Sequence, residues 1–313
     1  MTLILSLDFG GTKLAAALVN HPSRQWLAYE RRLSPPHSNA TTDLQIIDSL
    51  MDSLLQGEKP AAIGVSFGGP VDATTGTVRL SHHVPGWENI PLQELLQNKF
   101  QTPVIVDNDA NVAALGEHRF GAGEGHHTLF YITISTGVGG GWILNNHPWR
   151  GVAGMAGEIG HMVVQPDGPI CLCGKRGCVE RLASGSYMAQ EARENLSKHT
   201  SVILRRLVDN NLDLITGKTV SEAANAGDEL AQNILLTGAW ALGVGIGNIA
   251  NLINPQLFIL GGSVTKSGKL WWDKVRQVAR ATALPEIDFT ILPAALGDDA
   301  PLWGAVALAE SLL

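Results

Sequence analysis

Short apolar segments that end at glycine recur along the chain, and helical patterns separate several of them. Leu3–Phe9 and Lys13–Val19 are joined by Gly10-Gly11, which predicts two antiparallel strands connected by a tight turn. Trp26–Leu33 predicts a third strand. A helix follows, because apolar side chains recur at helical spacing after polar caps: Leu44, Ile47, Leu50, Met51, Leu54 and Leu55, after Thr41, Thr42 and Asp43.

Two more apolar segments in the first half predict that its sheet is mostly parallel. Ala61–Phe67 ends at Gly68-Gly69-Pro70, and Thr102–Val106 is followed by a helix of small residues over Asp109–His118. Strands that alternate with helices form parallel sheets that the helices cover. We therefore assign the chain to the α/β class.

The second half of the chain repeats the opening pattern. Leu129–Ser135 and Trp142–Leu144 flank the glycine-rich segment Thr136–Gly141, so they predict another strand, glycine turn and strand. Later segments predict a long alanine- and glycine-rich helix, a strand that ends at two glycines, and an apolar C-terminal helix: Asp228–Leu252, Gln256–Leu260 and Leu302–Leu312. This repetition predicts an internal duplication.

The length of 313 residues is sufficient for two domains that each bury a core. We expect a small α/β domain over residues 1–115, to which the C-terminal helix over 302–313 returns, and a larger α/β domain over residues 116–301. No low-complexity segment or long linker marks the boundary between them.

Charge and hydropathy exclude several classes of partner. The net charge of −7 argues against nucleic acid, because binding to a phosphate backbone needs a basic face. No basic segment precedes the first strand. We expect no apolar segment as long as the roughly 20 residues that span a membrane. We expect a cytoplasmic protein without a signal peptide or a membrane segment.

All three cysteines lie within eight residues, and a histidine precedes them by ten residues. Three thiolates and one imidazole complete the tetrahedral ligand set of a structural zinc ion: His161, Cys171, Cys173 and Cys178. An odd number of cysteines cannot form a closed set of disulfides, which favours metal binding over the alternative of three unrelated buried thiols. Gly174 and Gly177 allow the chain to fold back around one ion.

The first glycine turn has the composition of a phosphate site. Asp8 ends a strand and precedes Gly10, Gly11, Thr12 and Lys13, and backbone amides in such a turn can approach phosphate oxygens closely. Asp8 is a candidate ligand of Mg²⁺, directly or through water. A single turn of this kind is more often a plain hairpin. The second turn, together with Gly261-Gly262 after a later strand, favours phosphate binding.

Asn108 and Asp109 lie where a predicted strand meets a predicted helix, which is where open α/β sheets place their ligands. A carboxylate at this junction can accept the proton of a hydroxyl that attacks a phosphoryl group. The alternative is that Asp109 only caps the helix. The amide of Asn108 is suited to sugar hydroxyls.

Together these motifs resemble the ROK family of sugar kinases and repressors, within the actin-like ATPase, hexokinase and Hsp70 superfamily. The resemblance covers essentially the whole chain and is most specific at Glu158-Ile159-Gly160-His161, followed by the cysteine cluster and Glu180. It implies duplicated actin-like ATPase (ribonuclease H-like) domains that flank a cleft, with a zinc knuckle in the second domain.

The resemblance also implies a role for each motif. Asp109 would take the proton from the 6-hydroxyl of a hexose, with ATP and Mg²⁺ as cofactors and the structural Zn²⁺ on the four ligands given above. The residues expected to bind the sugar are Gly69, His83, Asn108, Asp109, Glu158, His161 and Glu180. The residues expected to bind ATP are Asp8, Gly10, Gly11, Thr12, Lys13, Thr136, Gly137, Gly139, Gly261 and Gly262.

One position departs from the family pattern. Family kinases commonly have asparagine shortly before a Pro-Gly-Trp motif, whereas His83 stands before Pro85-Gly86-Trp87 here. This departure leaves the hexose open: we expect glucose, with N-acetylmannosamine and N-acetylglucosamine as alternatives. A repressor is disfavoured because only seven residues precede Asp8, and a catalytically inactive sugar-binding module because the candidate catalytic residues are present. A homodimer is the family expectation.

Overall fold

The computed structural model describes residues 2–81, 84–196 and 201–313, so that His83 lies outside the described residues. Contacts divide the chain into two compact units. The first unit comprises Met1–His127, Gly141–Ala156 and Ala295–Leu313, and the second comprises Thr128–Gly140 and Gly157–Ala294.

The first unit contains a five-stranded sheet. The first three strands of the chain pair antiparallel with one another, and two further strands extend the sheet parallel to the first strand. Its strands are β1 Thr2–Phe9, β2 Lys13–His21, β3 Gln25–Leu33, β4 Ala62–Phe67 and β7 Val104–Asn108, in the order β3-β2-β1-β4-β7, and β5 Val71–Asp72 pairs separately with β6 Thr77–Val78. Its helices are α1 Ala40–Leu55, α2 Leu92–Phe100, α3 Asp109–Phe120 and α10 Ala300–Glu310. The strands and helices predicted for this unit are confirmed.

A second five-stranded sheet has the equivalent order, β10-β9-β8-β11-β12. Its strands are β8 Leu129–Ile134, β9 Val138–Leu144, β10 His147–Trp149, β11 Leu257–Gly261 and β12 Thr290–Pro293. The helices of the second unit are α4 Val179–Ala183, α5 Gly185–Asn195, α6 Val202–Leu207, α7 Gly217–Asn225, α8 Glu229–Ile253 and α9 Lys269–Thr282. Because both sheets continue from a hairpin into two parallel strands, the predicted α/β duplication is confirmed.

Helix α1 is capped one turn earlier than its sequence predicted. Asn39 is the N-cap, and its Oδ1 accepts from the backbone N–H of Thr42 at 3.0 Å. Asp43 lies inside the helix and is buried, where it accepts hydrogen bonds from Ser38 Oγ at 2.7 Å and Trp87 Nε1 at 3.3 Å. An N-cap needs extended backbone, which residues 41–43 lack because they are already helical.

Most of the second glycine segment lies in a strand instead of a turn. β9 begins at Val138, so Gly139, Gly140 and Gly141 belong to that strand. A Cβ on Gly140 would lie 2.4 Å from Cζ of Phe130 and 2.5 Å from the backbone oxygen of Gly157. Close packing against this strand therefore requires glycine there, without any need for a turn.

The predicted boundary at residue 115 falls inside α3, which continues to Phe120. Glu117 of this helix is fully buried, and its carboxylate accepts from the backbone N–H groups of Ala295 at 3.1 Å and Leu296 at 2.8 Å. The helix is thus tied to the segment that precedes α10, and the first unit continues to His127.

Helix α8 corrects the expectation that no segment approaches membrane-spanning length. Its 25 residues are long and apolar enough to cross a bilayer, but 67% of its most apolar window is buried inside the protein. It packs against α4, α7 and α9 within the second unit. This burial is that of a core helix.

Candidate active site and metal centre

In the first unit, Asp8 lies at the end of β1 beside the glycine turn. Ser66 of the neighbouring strand β4 donates to Asp8 Oδ1 at 2.8 Å. The turn is closed by the backbone N–H of Gly10, which donates to the Lys13 oxygen at 3.0 Å. The backbone N–H of Gly68 donates to Phe9 O at 2.8 Å, which places Gly68 and Gly69 beside this turn.

Asn108 and Asp109 lie together at the junction of β7 and α3. Asn108 is the N-cap, because its Oδ1 accepts from the backbone N–H of Ala110 at 3.0 Å. Its Nδ2 donates to the Gly69 oxygen and to Asp109 Oδ1, each at 3.0 Å. Asn108 is therefore the N-cap and Asp109 the first helical residue, although Asp109 Oδ1 also accepts from the Ala110 N–H, at 2.8 Å. The helix N-terminus favours its negative charge.

Asp8 and Asp109 influence each other electrostatically. Burial raises the pKa of Asp8 from 3.8 to about 7, the Ser66 hydrogen bond opposes this increase, and the nearby negative charge of Asp109 contributes to it. A carboxyl group that is costly to ionise alone is stabilised in its charged form by a cation. Asp8 is thus electrostatically suited to a hard divalent cation such as Mg²⁺.

In the second unit, three predicted motifs surround the second turn. The backbone N–H of Val138 donates to Glu180 Oε2 at 2.9 Å. A Cβ on Gly160 would lie 2.1 Å from the Val138 oxygen, so the Glu158–His161 motif packs directly on the start of β9. Gly262 has φ +88°, and a Cβ there would lie 2.3 Å from the Ile134 oxygen. The Glu158–His161 segment (the sugar motif, after the role that the family resemblance implies), Glu180 and the Gly261-Gly262 pair therefore meet at this turn.

The four predicted zinc ligands form one cluster. Their ligand atoms all lie within 4.8 Å of one another. The sulfur atoms of Cys173 and Cys178 are 3.6 Å apart, close to the edge of about 3.8 Å that a tetrahedron with Zn–S bonds of about 2.3 Å requires. His161 Nδ1 is buried and has no hydrogen-bond partner in the described part of the chain. An unpaired imidazole nitrogen beside three thiols fits a zinc ligand set.

The backbone of the knuckle is shaped to bring these ligands together. The backbone N–H of Cys171 donates to the Lys175 oxygen at 2.8 Å, and the N–H of Gly174 donates to the Cys171 oxygen at 2.9 Å. Gly174 and Gly177 have φ of 85° and 63°, and a Cβ on Gly177 would lie 1.6 Å from the Gln165 oxygen. Burial raises the pKa of Cys178 to about 12, so metal binding must displace its proton.

The predicted residues thus form one cluster in each unit. The first cluster contains Asp8, Gly10, Gly11, Thr12, Lys13, Gly69, Asn108 and Asp109, and the second contains Thr136, Gly137, Gly139, Glu158, Glu180, Gly261, Gly262 and the four metal ligands. His83 falls outside the described residues.

Two residues of the first cluster were missed by the sequence analysis. Asp107 is buried behind Asn108, and Arg150 Nε donates to Asp107 Oδ2 at 2.6 Å. Asp107 adjoins the Asn108-Asp109 motif and could have been noted for that reason. Arg150 carries no local signal, because its partner is 43 residues away in the chain.

The ROK family model matches residues 4–311. A glucokinase from Halalkalibacterium halodurans is 37% identical, over 96% of this chain and 92% of its own length. The crystal structure of a ROK family glucokinase from Streptomyces griseus in complex with glucose and AMPPNP is 36% identical, with a TM-score of 0.84 over 99% of each chain. A xylose repressor from Caldicellulosiruptor bescii is 33% identical over 80% of this chain and 62% of its own length.

The family expected from the motifs is therefore confirmed by the family model and by glucokinases that are similar over nearly their whole length. The two-unit α/β fold and the cysteine–histidine cluster agree with this assignment. The chain belongs to the ROK family.

Proposed function

We propose that this protein is an ATP-dependent hexose kinase that transfers the γ-phosphoryl group of ATP to the 6-hydroxyl of glucose. The observation that carries the proposal is the Asn108–Asp109 pair, held at the end of β7 in a chain that is 36% identical to a glucokinase whose structure contains glucose and AMPPNP. Phosphoryl transfer depends mainly on positioning and electrostatic stabilisation, which this junction can supply.

Asp109 acts as the general base in this proposal. Its Oδ1 accepts from Asn108 Nδ2 at 3.0 Å and from the backbone N–H of Ala110 at 2.8 Å, which fixes the orientation of the carboxylate. The carboxylate receives the proton of the sugar 6-hydroxyl as that oxygen attacks the phosphoryl group. Because Asn108 is itself fixed by Gly69, the base is held from two sides.

The two glycine turns bind the nucleotide in this proposal. Bound ATP supplies the phosphoryl group, and bound Mg²⁺ neutralises the phosphate charge. Asp8 would hold the cation directly or through water, and the segments Gly10–Lys13 and Thr136–Gly139 would face the phosphate groups. Gly261 and Gly262, which pack against Tyr131 and the Ile134 backbone, face the adenosine in this proposal.

Zinc has a structural role in this proposal. Three thiolates and an imidazole leave no open position for substrate, so the ion fixes the loop between His161 and Cys178. Glu158 precedes this loop and Glu180 follows it, and both contribute carboxylate oxygens to sugar hydroxyls. Glu180 Oε2 already accepts from Val138 N–H, so this carboxylate is oriented before sugar arrives.

Glucose is the preferred substrate in this proposal because two relatives, 37% and 35% identical over nearly the whole chain, are glucokinases. N-acetylmannosamine and N-acetylglucosamine are the alternative substrates. The second candidate function is a sugar-responsive repressor, which the similarity to a xylose repressor suggests. We propose further that the enzyme is a cytoplasmic homodimer that does not bind nucleic acid.

A coupled assay with ATP tests the proposal against its alternatives. We expect kcat/KM to be highest for glucose in a panel that also contains fructose, mannose, N-acetylmannosamine and N-acetylglucosamine. A higher value for an N-acetyl sugar would correct the substrate. Absence of turnover with every hexose, while sugar binding persists in calorimetry, would favour the repressor.

A further inference from the structure

A buried carboxylate lies directly behind the proposed catalytic pair. Asp107 is 2% exposed and is the last residue of β7 before Asn108. Its Oδ1 accepts from the backbone N–H of Asn108 at 2.7 Å and from Asn111 Nδ2 at 3.2 Å. Asn108 precedes Asp109, and Asn111 follows Asp109 within the first turn of α3. Asp107 therefore holds the chain on both sides of the proposed base.

Arg150 is the cationic partner of this carboxylate. Its Nε donates to Asp107 Oδ2 at 2.6 Å, and its side chain is only 29% exposed. A buried carboxylate without a cation is costly, and Asp109 is a second carboxylate only two residues further along the chain. Arg150 thus allows Asp107 to remain an acceptor for both Asn108 and Asn111.

The backbone of Arg150 serves a second structural purpose. Its oxygen accepts from the N–H of Ala156 at 3.0 Å, which closes a loop over residues 150–156. Two residues after this loop the chain reaches Glu158, the first residue of the sugar motif. One arginine is therefore bonded both to the strand end that carries the proposed base and to the loop that precedes the sugar motif.

We propose that Arg150 is a positioning residue of the phosphoryl-transfer reaction and acts through Asp107 on the orientation of Asn108 and Asp109. This inference rests on the proposed kinase function. Its physical basis is that a reacting group displaced by about 1 Å can lose about 10²-fold in rate. Within the described residues, the Arg150 side chain donates to Asp107 and to the Pro148 oxygen, the latter at 3.5 Å. The guanidinium therefore acts at one remove from the reacting atoms.

The test compares Arg150→Met, Arg150→Lys and Asp107→Asn with the control variant Arg79→Met. Arg79 forms a comparably short ion pair with Asp72, at 2.7 Å, in the same unit, but its side chain is 58% exposed. We expect Arg150→Met and Asp107→Asn to lower kcat by about 10²-fold, with the KM for ATP changed by less than about threefold. Arg79→Met retains the wild-type kcat.

Two measurements separate positioning from a general effect on stability. Lysine keeps the charge but lacks the planar fork, so Arg150→Lys recovers part of the kcat that Arg150→Met loses. A further variant, Arg150→Ala, leaves the space of the guanidinium group empty. Added guanidinium, at concentrations that leave the wild-type rate unchanged, raises the kcat of this variant by about tenfold, because the cation can occupy that space. The same addition does not raise the kcat of Asp107→Asn.

A kcat of Arg150→Met within about threefold of the wild-type value would overturn the proposal. It would also be overturned if kcat fell equally in Arg79→Met, or if guanidinium gave no rescue and the loss followed the decrease in Tm. If Arg150→Met does not fold, Arg150→Lys and Asp107→Asn provide the same test. Failure of the kinase proposal is separate, because it appears in the wild-type protein as absence of turnover with any hexose.

Discussion

The two glycine turns lie at equivalent points of two sheets with equivalent strand order. The carboxylate beside each turn, however, comes from a different kind of element. In the first unit the carboxylate belongs to the strand itself: Asp8 is in β1 and pairs with Ser66. In the second unit it comes from a helix: Glu180 of α4 accepts from the backbone N–H of Val138. The duplication thus preserved the strand order around the turn, while the side chains beside it differ between the two units.

The atoms packed against the glycines of the two turns differ as well. A Cβ on Gly10 would lie 2.8 Å from a backbone oxygen, that of Lys13. A Cβ on Gly137 would lie 2.7 Å from a side-chain oxygen, that of Glu180. A methyl group added to the first turn thus meets main chain, whereas one added to the second meets the Glu180 side chain. We infer a division of roles, in which the first unit provides the base and the cation ligand and the second provides the ordered sugar loop.

The largest expected effect is a loss of kcat on removal of the proposed base, which belongs to the first unit only. Asp109→Asn removes the general base of the first unit, and kcat should fall by about 10²–10⁴-fold. Sugar binding measured by calorimetry should remain nearly unchanged, because the fold and the second unit are intact. Asp48→Asn, a change at an exposed carboxylate paired with Lys99, serves as the control. A variant that kept more than about a tenth of the wild-type kcat would show that Asp109 is not the base.

The next effect tests the ordered loop of the second unit. Elemental analysis of protein purified without added metal should find one zinc per chain, and the double variant Cys171→Ser/Cys173→Ser should lose it. We expect the sugar KM to rise by about 10–100-fold in this variant, since the knuckle would no longer order Glu158 and Glu180. Glu158→Ala should raise the sugar KM but retain zinc. Stoichiometric zinc in the double variant would refute the ligand assignment.

A smaller effect compares the two turns directly. In Gly10→Ala the new methyl group meets main chain that cannot move aside, so the KM for ATP should rise by about 30-fold, equivalent to about 2 kcal/mol. In Gly137→Ala the Glu180 side chain can rotate away, so the increase should be smaller and should be accompanied by a higher sugar KM. Equal effects of the two substitutions on both KM values would remove the distinction between the turns.

The smallest effect concerns pH and the cation ligand. Because the folded pKa of Asp8 is about 7 and its ordinary value is 3.8, the folded protein holds an extra proton between these pH values. The contribution of Asp8 to the free energy of unfolding therefore decreases as pH rises through this window. Mg²⁺–ATP binds the ionised form, so its affinity should rise by about tenfold between about pH 6 and about pH 8.

Asp8→Asn isolates this titration from that of ATP itself. The variant should bind Mg²⁺–ATP weakly at every pH and should lose the additional pH dependence seen in the wild-type protein. Calorimetry in two buffers of different ionisation enthalpy should detect proton release on binding to the wild-type protein only. Identical pH dependence in the two proteins would exclude Asp8 as the titrating group.

The sequence by itself determined the features that depend on neighbouring residues. The strands around both glycine turns and the helices α1, α8 and α10 follow from hydrophobic periodicity, which reflects the geometry of each element. The metal ligands could be identified because His161 and the three cysteines lie within one short segment. Asn108 and Asp109 are adjacent at a strand end, so their proximity needed no tertiary information.

The capping residues and the roles of the glycines were less predictable. Several neighbouring residues have a type suited to the same role, and only the three-dimensional structure shows which of them has it. Asn39 caps α1 and Asn108 caps α3, although Thr41, Thr42, Asp43 and Asp109 were equally reasonable by residue type. Gly139–Gly141 lie in β9, where packing against other residues requires glycine at Gly140 and Gly141. The residue type shows which roles a position allows, such as a cap, a turn or close packing. Only the packed structure shows which of these roles the residue has.

Only the tertiary structure decided which distant side chains meet. Ser66 bonds to Asp8 across 58 residues, Arg150 to Asp107 across 43, and Val138 to Glu180 across 42. Each pair depends on the register of a strand or on the path of a loop, and a shift of one residue would turn a strand side chain to the opposite face of its sheet. The sequence thus specified the reactive groups and their local backbone, whereas long-range packing determined which neighbours orient them.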